Sequence, residues 1–196
     1  MPGFNIHLAI GKRYIEKQKN KKDVIKNENS FYNGLVAPDL VNDKKISHYT
    51  TETNKNNLEK YLLEKVRLDL YLKDNKVETD FEKGVFLHLL TDYLFFNEFF
   101  EKEFIKNIDY QDFVRDLYYS YEMTNEYLNK KYNIDFSIFG DRLEKNIRKN
   151  KKEKKLEDSD LKEKKLIFSE KDLDEFIEKI SSINIKELEN EIRRKI

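Results

Sequence analysis

The chain of 196 residues contains no cysteine, which excludes disulfides, thiolate zinc sites and cysteine nucleophiles. Neither sign of charge is in excess, because 38 basic side chains face 38 acidic ones. That balance excludes a general attraction to nucleic acid or anionic membranes and leaves room only for local basic patches. Long hydrophobic runs are also missing. No stretch approaches the roughly 20 apolar residues of a membrane span, and the densest, Val85 to Phe100, is interrupted by His88, Asp92, Asn97 and Glu98. Met1-Pro2-Gly3-Phe4-Asn5-Ile6-His7 has neither the basic start nor the apolar run of a secretory signal. A soluble, cytoplasmic protein without a transmembrane segment is the expectation. Histidine is scarce as well: there are three, His7, His48 and His88.

What is present argues for a folded chain. Although 39% of residues are charged, 38% are apolar and 13% aromatic, whereas a disordered chain would lack these core formers. Ile6, Ala9, Ile10 and Tyr14 recur at helical spacing, which predicts a first helix over residues 6–18. Residues 31–39 should not form a long regular helix, since Gly34 weakens it and Pro38 biases Ala37 away from the α region. Residues 39–53 then read as an irregular loop, the kind of segment that often carries functional groups. An amphipathic helix is expected over 57–72, and another, capped by Thr79 or Asp80, from there to about Lys106. Further helices are expected over 110–132 and 137–148, and residues 146–165 are a charge-dense stretch, read as a solvated helix face or a connection. Two short helices should fill 170–196, the first opened by Ser169 with Asp172 three positions on, packing on the domain or on a partner. Period-2 alternation is nearly absent, so the class is all-α. The division expected is a helical metal-binding domain over residues 1–140 and a charged helical C-terminal extension over 141–196.

The chemistry gathers in the helix after Thr79. Between Gly84 and Glu98 nearly every side chain is apolar, and a helix apolar on all sides is buried on all sides. His88 and Asp92 are four residues apart there, so they project from one face. A buried, unpaired carboxylate costs several kcal/mol. Asp92 therefore needs a partner: a hydrogen bond from His88, a salt bridge from elsewhere, or a metal cation. The pair alone fits a structural hydrogen-bond network, and His7 and His48 each have a plain reading as surface or capping histidines. Asp39, His48, His88 and Asp92, however, would make a set of two imidazoles and two carboxylates, the ligands that suit zinc when thiolates are absent. The many Phe and Tyr residues over 95–121 read most simply as core. There is no adjacent His-Asp dipeptide, which argues against the helical phosphohydrolases built around one.

The ordered series His7, Gly34-Leu35-Val36-Ala37-Pro38-Asp39, Ser47-His48-Tyr49-Thr50 and Gly84-Val85-Phe86-Leu87-His88-Leu89-Leu90-Thr91-Asp92 resembles the bacterial zinc-dependent phospholipase C family. That family shares its compact all-helical fold with certain single-strand-specific nucleases. The resemblance covers roughly residues 1–132. It implies that Asp39, His48, His88 and Asp92 surround one zinc, that Asp92 bridges to a second zinc bound also by His7, and that Asp39 acts as general base. Relatives bind a third zinc through further histidines and a glutamate, and use a free amino terminus as a ligand. No histidine follows His88 here; Asn97, Glu98, Asp116 and Glu122 are the nearest substitutes in the chain. A reduced site of one or two zinc ions, with manganese or iron as alternatives, is therefore expected. The implied function is a metal-dependent hydrolase of phosphoesters, phospholipase C-like or a phosphodiesterase, acting on a small phosphoester or a lipid headgroup. The alternative is a non-catalytic helical module that the metal only stabilises.

Overall fold

The computed structural model describes residues 3–19, 24–51, 54–134 and 163–196, and among them every regular element is helical. Helix α1 (Phe4–Gln18) turns Ile6, Ala9, Ile10, Tyr14 and Ile15 into the interior, as its spacing predicts, and His7 lies on that same buried face. Helix α6 (Asp80–Leu94) starts on a reciprocal cap: the Glu82 amide donates to the Thr79 hydroxyl at 3.2 Å, and the Thr79 amide donates to the Glu82 carboxylate at 2.8 Å. Thr79, not Asp80, is the cap. Asp80 instead accepts from the Lys26 and Asn27 amides at 2.9 and 2.8 Å, which ties the start of α6 to the start of α2.

Helix α2 (Glu28–Leu40) corrects the sequence reading, for it runs through Gly34 and Pro38. The reason lies in its partner. A Cβ on Gly34 would sit 2.0 Å from the Phe81 carbonyl oxygen, and one on Gly84 would sit 2.1 Å from the Phe31 carbonyl oxygen. The two glycines let the α2 and α6 backbones touch, and this crossing is the most extensive helix–helix contact of the described chain. Glycine's cost to helix formation, about 1 kcal/mol relative to alanine, is offset by that packing. Pro38 removes one helical amide, but it stands only two residues from the helix end. Its own carbonyl accepts from Lys44 Nζ at 3.2 Å.

Two expected long helices are divided. Within residues 39–53, the short α3 (Lys44–Ser47) interrupts what reads as irregular chain, and residues 57–72 split into α4 (Leu58–Leu63) and α5 (Leu68–Asp74). The break at Glu64–Arg67 frees backbone groups that hold the segment after α3. The Arg67 amide donates to the His48 carbonyl at 3.3 Å, the Thr51 amide to the Glu64 carbonyl at 3.1 Å, and the Thr50 hydroxyl to the Lys65 carbonyl at 2.7 Å. Likewise α6 does not continue to Lys106. It widens into a π-helical turn (Phe95–Phe99), stops at Phe100, and is followed by α7 (Lys102–Lys106).

Helix α8 (Tyr110–Tyr132) matches its predicted span, capped by Asp109 and ended by Asn133 in the left-handed region at φ 45°. The predicted helix at 137–148 and most of the charge-dense stretch lie outside the described residues. Ser169 caps α9 (Glu170–Ser181) reciprocally with Asp172, as its spacing predicts, and α10 (Ile185–Arg193) follows. Both belong to the body of the molecule: Phe168 and Phe176 pack on Phe95 with ring centroids 6.2 and 5.6 Å away, and Arg13 of α1 pairs with Glu178. Phe96, Phe99, Phe100 and Tyr121 complete the surroundings of Phe95. The aromatic residues here are core, each buried ring contributing on the order of 1.5–3 kcal/mol.

Candidate metal centre

Four elements bring the three histidines and two aspartates to one buried place. His7 comes from α1, Asp39 from the last turn of α2, His48 from the end of α3, and His88 with Asp92 from α6. His7, His88 and Asp92 have no exposed surface, and His48 has almost none. Asp92 presents one oxygen to each side of the cluster: Oδ1 lies 3.2 Å from His7 Nε2, and Oδ2 lies 3.1 Å from His48 Nε2 and 3.7 Å from His88 Nε2. Asp39 Oδ1 stands 3.7 Å from His48 Nε2 and 4.0 Å from His88 Nε2. The His7 and His88 rings are stacked, with centroids 3.9 Å apart and planes 10° from parallel. All five expected ligands meet.

Two neighbours orient the imidazoles. His88 Nδ1 lies 2.7 Å from the Leu35 carbonyl oxygen. A carbonyl only accepts, so Nδ1 carries the proton and Nε2 turns a lone pair into the cluster. His48 Nδ1 meets the Ser47 hydroxyl at 2.7 Å, a group able to donate or accept, so His48 can carry its proton on either nitrogen. Between the two rings, Nε2 of His48 and Nε2 of His88 are 3.1 Å apart; with the His88 atom a lone pair, the proton on this contact belongs to His48.

The electrostatics favour a neutral imidazole beside ionised carboxylates. Burial first, and then His7, push the His88 imidazole down to about 3, so it is uncharged at neutral pH. Burial raises Asp39, but the charge His88 gains in acid and the Lys44 ammonium, which donates to Asp39 Oδ1 at 3.0 Å, outweigh it and hold the carboxyl below its usual range. Burial likewise opposes ionisation of Asp92, and the surrounding imidazoles of His88, His48 and His7 hold it lower still. The hydroxyl of Tyr121 is pushed well up, by burial and Tyr118 and then by the Asp92 and Asp39 charges.

Hydrogen bonding leaves this centre unfinished. Both ring nitrogens of His7 and both carboxylate oxygens of Asp92 are buried without a hydrogen-bond partner, their approaches to each other and to the other imidazoles being short but misdirected. Leaving such atoms bare costs about 1–3 kcal/mol each, and more for a charged one. A cation among them removes that cost, since carboxylate oxygens and deprotonated imidazole nitrogens are donors of electron pairs, and the imidazole proton gives way when the metal binds. Within the cluster, the ligand atoms of His7, His88 and Asp92, and separately those of Asp39, His48 and His88, lie within 4.8 Å of one another. Both groups are therefore able to hold a metal ion, and the donor set of imidazole and carboxylate fits zinc.

The model of the family described as zinc dependent phospholipase C matches residues 6–191. The chain belongs to the zinc-dependent phospholipase C family. Neither the curated proteins nor the solved structures gave a significant match. Membership accords with the all-helical fold and points to zinc and to a phosphoester or lipid substrate. The family match crosses residue 140, where the sequence reading divides the chain, and takes in α9 and most of α10.

The carboxylate candidates for a further metal site do not join the cluster. Glu98 pairs with Lys179 at 2.7 Å, Asp116 accepts from Arg115 at 2.8 Å, and Glu122 is exposed. Asn97 donates to the Tyr93 carbonyl at 2.8 Å. None of the three carboxylates belongs to a possible ligand group among the described residues. Sequence reasoning missed Lys44, Ser47 and the Leu35 carbonyl. Ser47 stands beside His48 in the chain and was open to notice; the carbonyl has no side-chain signature at all. No helix among the described residues is long and apolar enough to cross a membrane.

Proposed function

We propose that this zinc-dependent phospholipase C family member hydrolyses phosphoesters at the cluster of His7, Asp39, His48, His88 and Asp92. The observation that carries the reading is the set of buried, unpartnered electron-pair donors on His7 and Asp92, ringed by the other three side chains. These five residues would hold one or two zinc ions, with Asp92 reaching both sides through its two oxygens. When bound, such ions supply Lewis-acid polarisation of a phosphoryl oxygen and activation of water at neutral pH. The chain's own residues set the rest. Asp39 is the ligand nearest to solvent, with 8% of its side chain exposed, and it stays ionised beside Lys44, so it is placed to take a proton from an attacking water as general base. Lys44, one-third exposed, lies at the same opening and favours the approach of an anionic phosphoester. The ring stack and the Leu35 carbonyl keep His88 from turning.

A second reading has an observation of its own. The cluster is almost fully enclosed, and metal held by a closed set of protein ligands stabilises a fold without turnover. One experiment separates the two. Protein purified without chelators should contain one to two equivalents of zinc and should cleave bis(p-nitrophenyl) phosphate. Asp39→Asn should retain at least one metal and lose turnover by about 10²-fold or more, the usual contribution of a general base. Metal without turnover in the unmodified protein selects the structural module, and a chain that takes up no metal at all refutes both.

A further inference from the structure

The C-terminal helix reaches Tyr49, the residue beside His48, through a series of polar contacts. Arg193, near the end of α10, donates from one terminal nitrogen to the Leu72 carbonyl and from the other to the Asn75 carbonyl at 2.7 Å. These are carbonyls at the end of α5, where the helix leaves acceptors without donors. The guanidinium is itself oriented by Glu189, a buried carboxylate that accepts from Arg193 Nε at 2.9 Å and pairs with Lys186 at 3.1 Å. Asn75, so held, donates its side-chain amide to the Tyr49 hydroxyl at 2.8 Å and to the Tyr71 carbonyl at 2.9 Å. The Tyr49 ring packs edge-on against Tyr71, with centroids 5.8 Å apart.

Tyr49 directly follows His48 and has φ 58°, a left-handed backbone conformation that a Cβ disfavours. A bulky residue stays there only when its surroundings hold it. The strained turn bends the chain between His48, whose ring enters the cluster, and Thr50, whose hydroxyl is fixed to the Lys65 carbonyl. We infer that Arg193 and Tyr49 are positioning residues for His48: the C-terminal helix clamps the end of α5, and Asn75 passes that constraint to the Tyr49 turn that aims the imidazole. The inference rests on the reading of Asp39, His48 and His88 as metal ligands, and it gives α10 a part in the site although α10 contributes no ligand.

Cobalt(II) titration of metal-free protein, followed by its visible absorption, tests this without recourse to turnover. Tyr49→Phe removes only the hydroxyl and Arg193→Lys keeps the charge but not the two-pronged geometry. Each should weaken cobalt binding about tenfold, the lower end of what loss of an orienting contact costs a metal site. Tyr49→Phe should lower the melting temperature of the metal-free protein by no more than the few degrees that one lost hydrogen bond costs, so that unfolding does not account for the weaker cobalt binding. The double variant should lose no more affinity than the weaker-binding single one, because both act through one path. In a His48→Ala background neither substitution should alter the cobalt binding that remains. Unchanged affinity in both variants, additive losses, or equal losses without His48 overturns the inference while leaving the metal site intact. A wild-type chain that binds no cobalt overturns it together with the function proposed above.

Discussion

Replacing Gly34 by alanine tests the contact on which the metal centre is built. The new Cβ would stand 2.0 Å from the Phe81 carbonyl oxygen and 2.8 Å from its carbon, and real Cβ atoms are essentially never found within 3.0 Å of such neighbours. Both atoms belong to backbone, so neither can rotate aside, and α2 and α6 must part by about 1 Å. Alanine gains about 1 kcal/mol of helix propensity over glycine. Overpacking costs about 1–3 kcal/mol where side chains can yield, and a backbone clash lies at or above that range. The net loss should be about 2 kcal/mol or more, lowering the melting temperature of a chain this size by about 5 °C or more. The damage should also reach the site. Leu35 follows Gly34, and its carbonyl lies 2.7 Å from His88 Nδ1; an added ångström takes that contact beyond hydrogen-bond range. Zinc affinity should fall by about 10–100-fold, as when an orienting partner of a ligand is removed. Thermal unfolding of the metal-free variant, with zinc titration beside it, measures both effects. A melting temperature within about 1 °C of wild type, with unchanged zinc affinity, would refute the close crossing and its link to His88.

Two further outcomes follow from the same structure. His88 sits at about 3 in the folded metal-free protein and near 6.5 when unfolded, so below about pH 6.5 the unfolded chain binds a proton that the native one refuses. Stability should therefore fall as the pH drops, by about 2 kcal/mol between pH 7 and pH 5. The depressed carboxyls of Asp39 and Asp92 add a further loss only below their unfolded values near pH 4; denaturant titration at the two pH values checks the first part, and equal midpoints would contradict it. Ser169→Ala removes the reciprocal cap of α9 and should cost about 1 kcal/mol with zinc affinity unchanged, a pairing that separates loss of stability from damage to the site; a zinc affinity that falls with it would break that separation.

Much of this protein was legible from local pattern. The spans of α1 and α8, the caps at Thr79 and Ser169 and the all-helical class come from periodicity and short-range hydrogen bonding, which depend on residues within one or two turns. The five cluster residues were legible because their side chains are chemically unusual in an apolar setting: a histidine and an aspartate on a helix buried all round require company. Resemblance then joined Asp39, His48 and His7 to that pair.

The places where the sequence reading failed are those where distant chain segments compete with local preference. Gly34 and Pro38 argue against a helix only until α6 is set against α2, when the missing Cβ becomes the feature that permits contact. The helix predicted over 57–72 breaks because the backbone of residues 64–67 has partners in the segment after His48. By itself, then, the sequence singled out five side chains of the metal-ligand type and an all-helical class, while assigning Asp39 and His48 to an irregular loop. Only the tertiary structure decided that Asp92 faces both sides of one cluster, that the Leu35 carbonyl holds the His88 proton outward, and that the last helix bears on the turn beside His48. Those outcomes turn on backbone groups, which every residue carries alike and which acquire distinct roles only when the folded chain sets them beside one another.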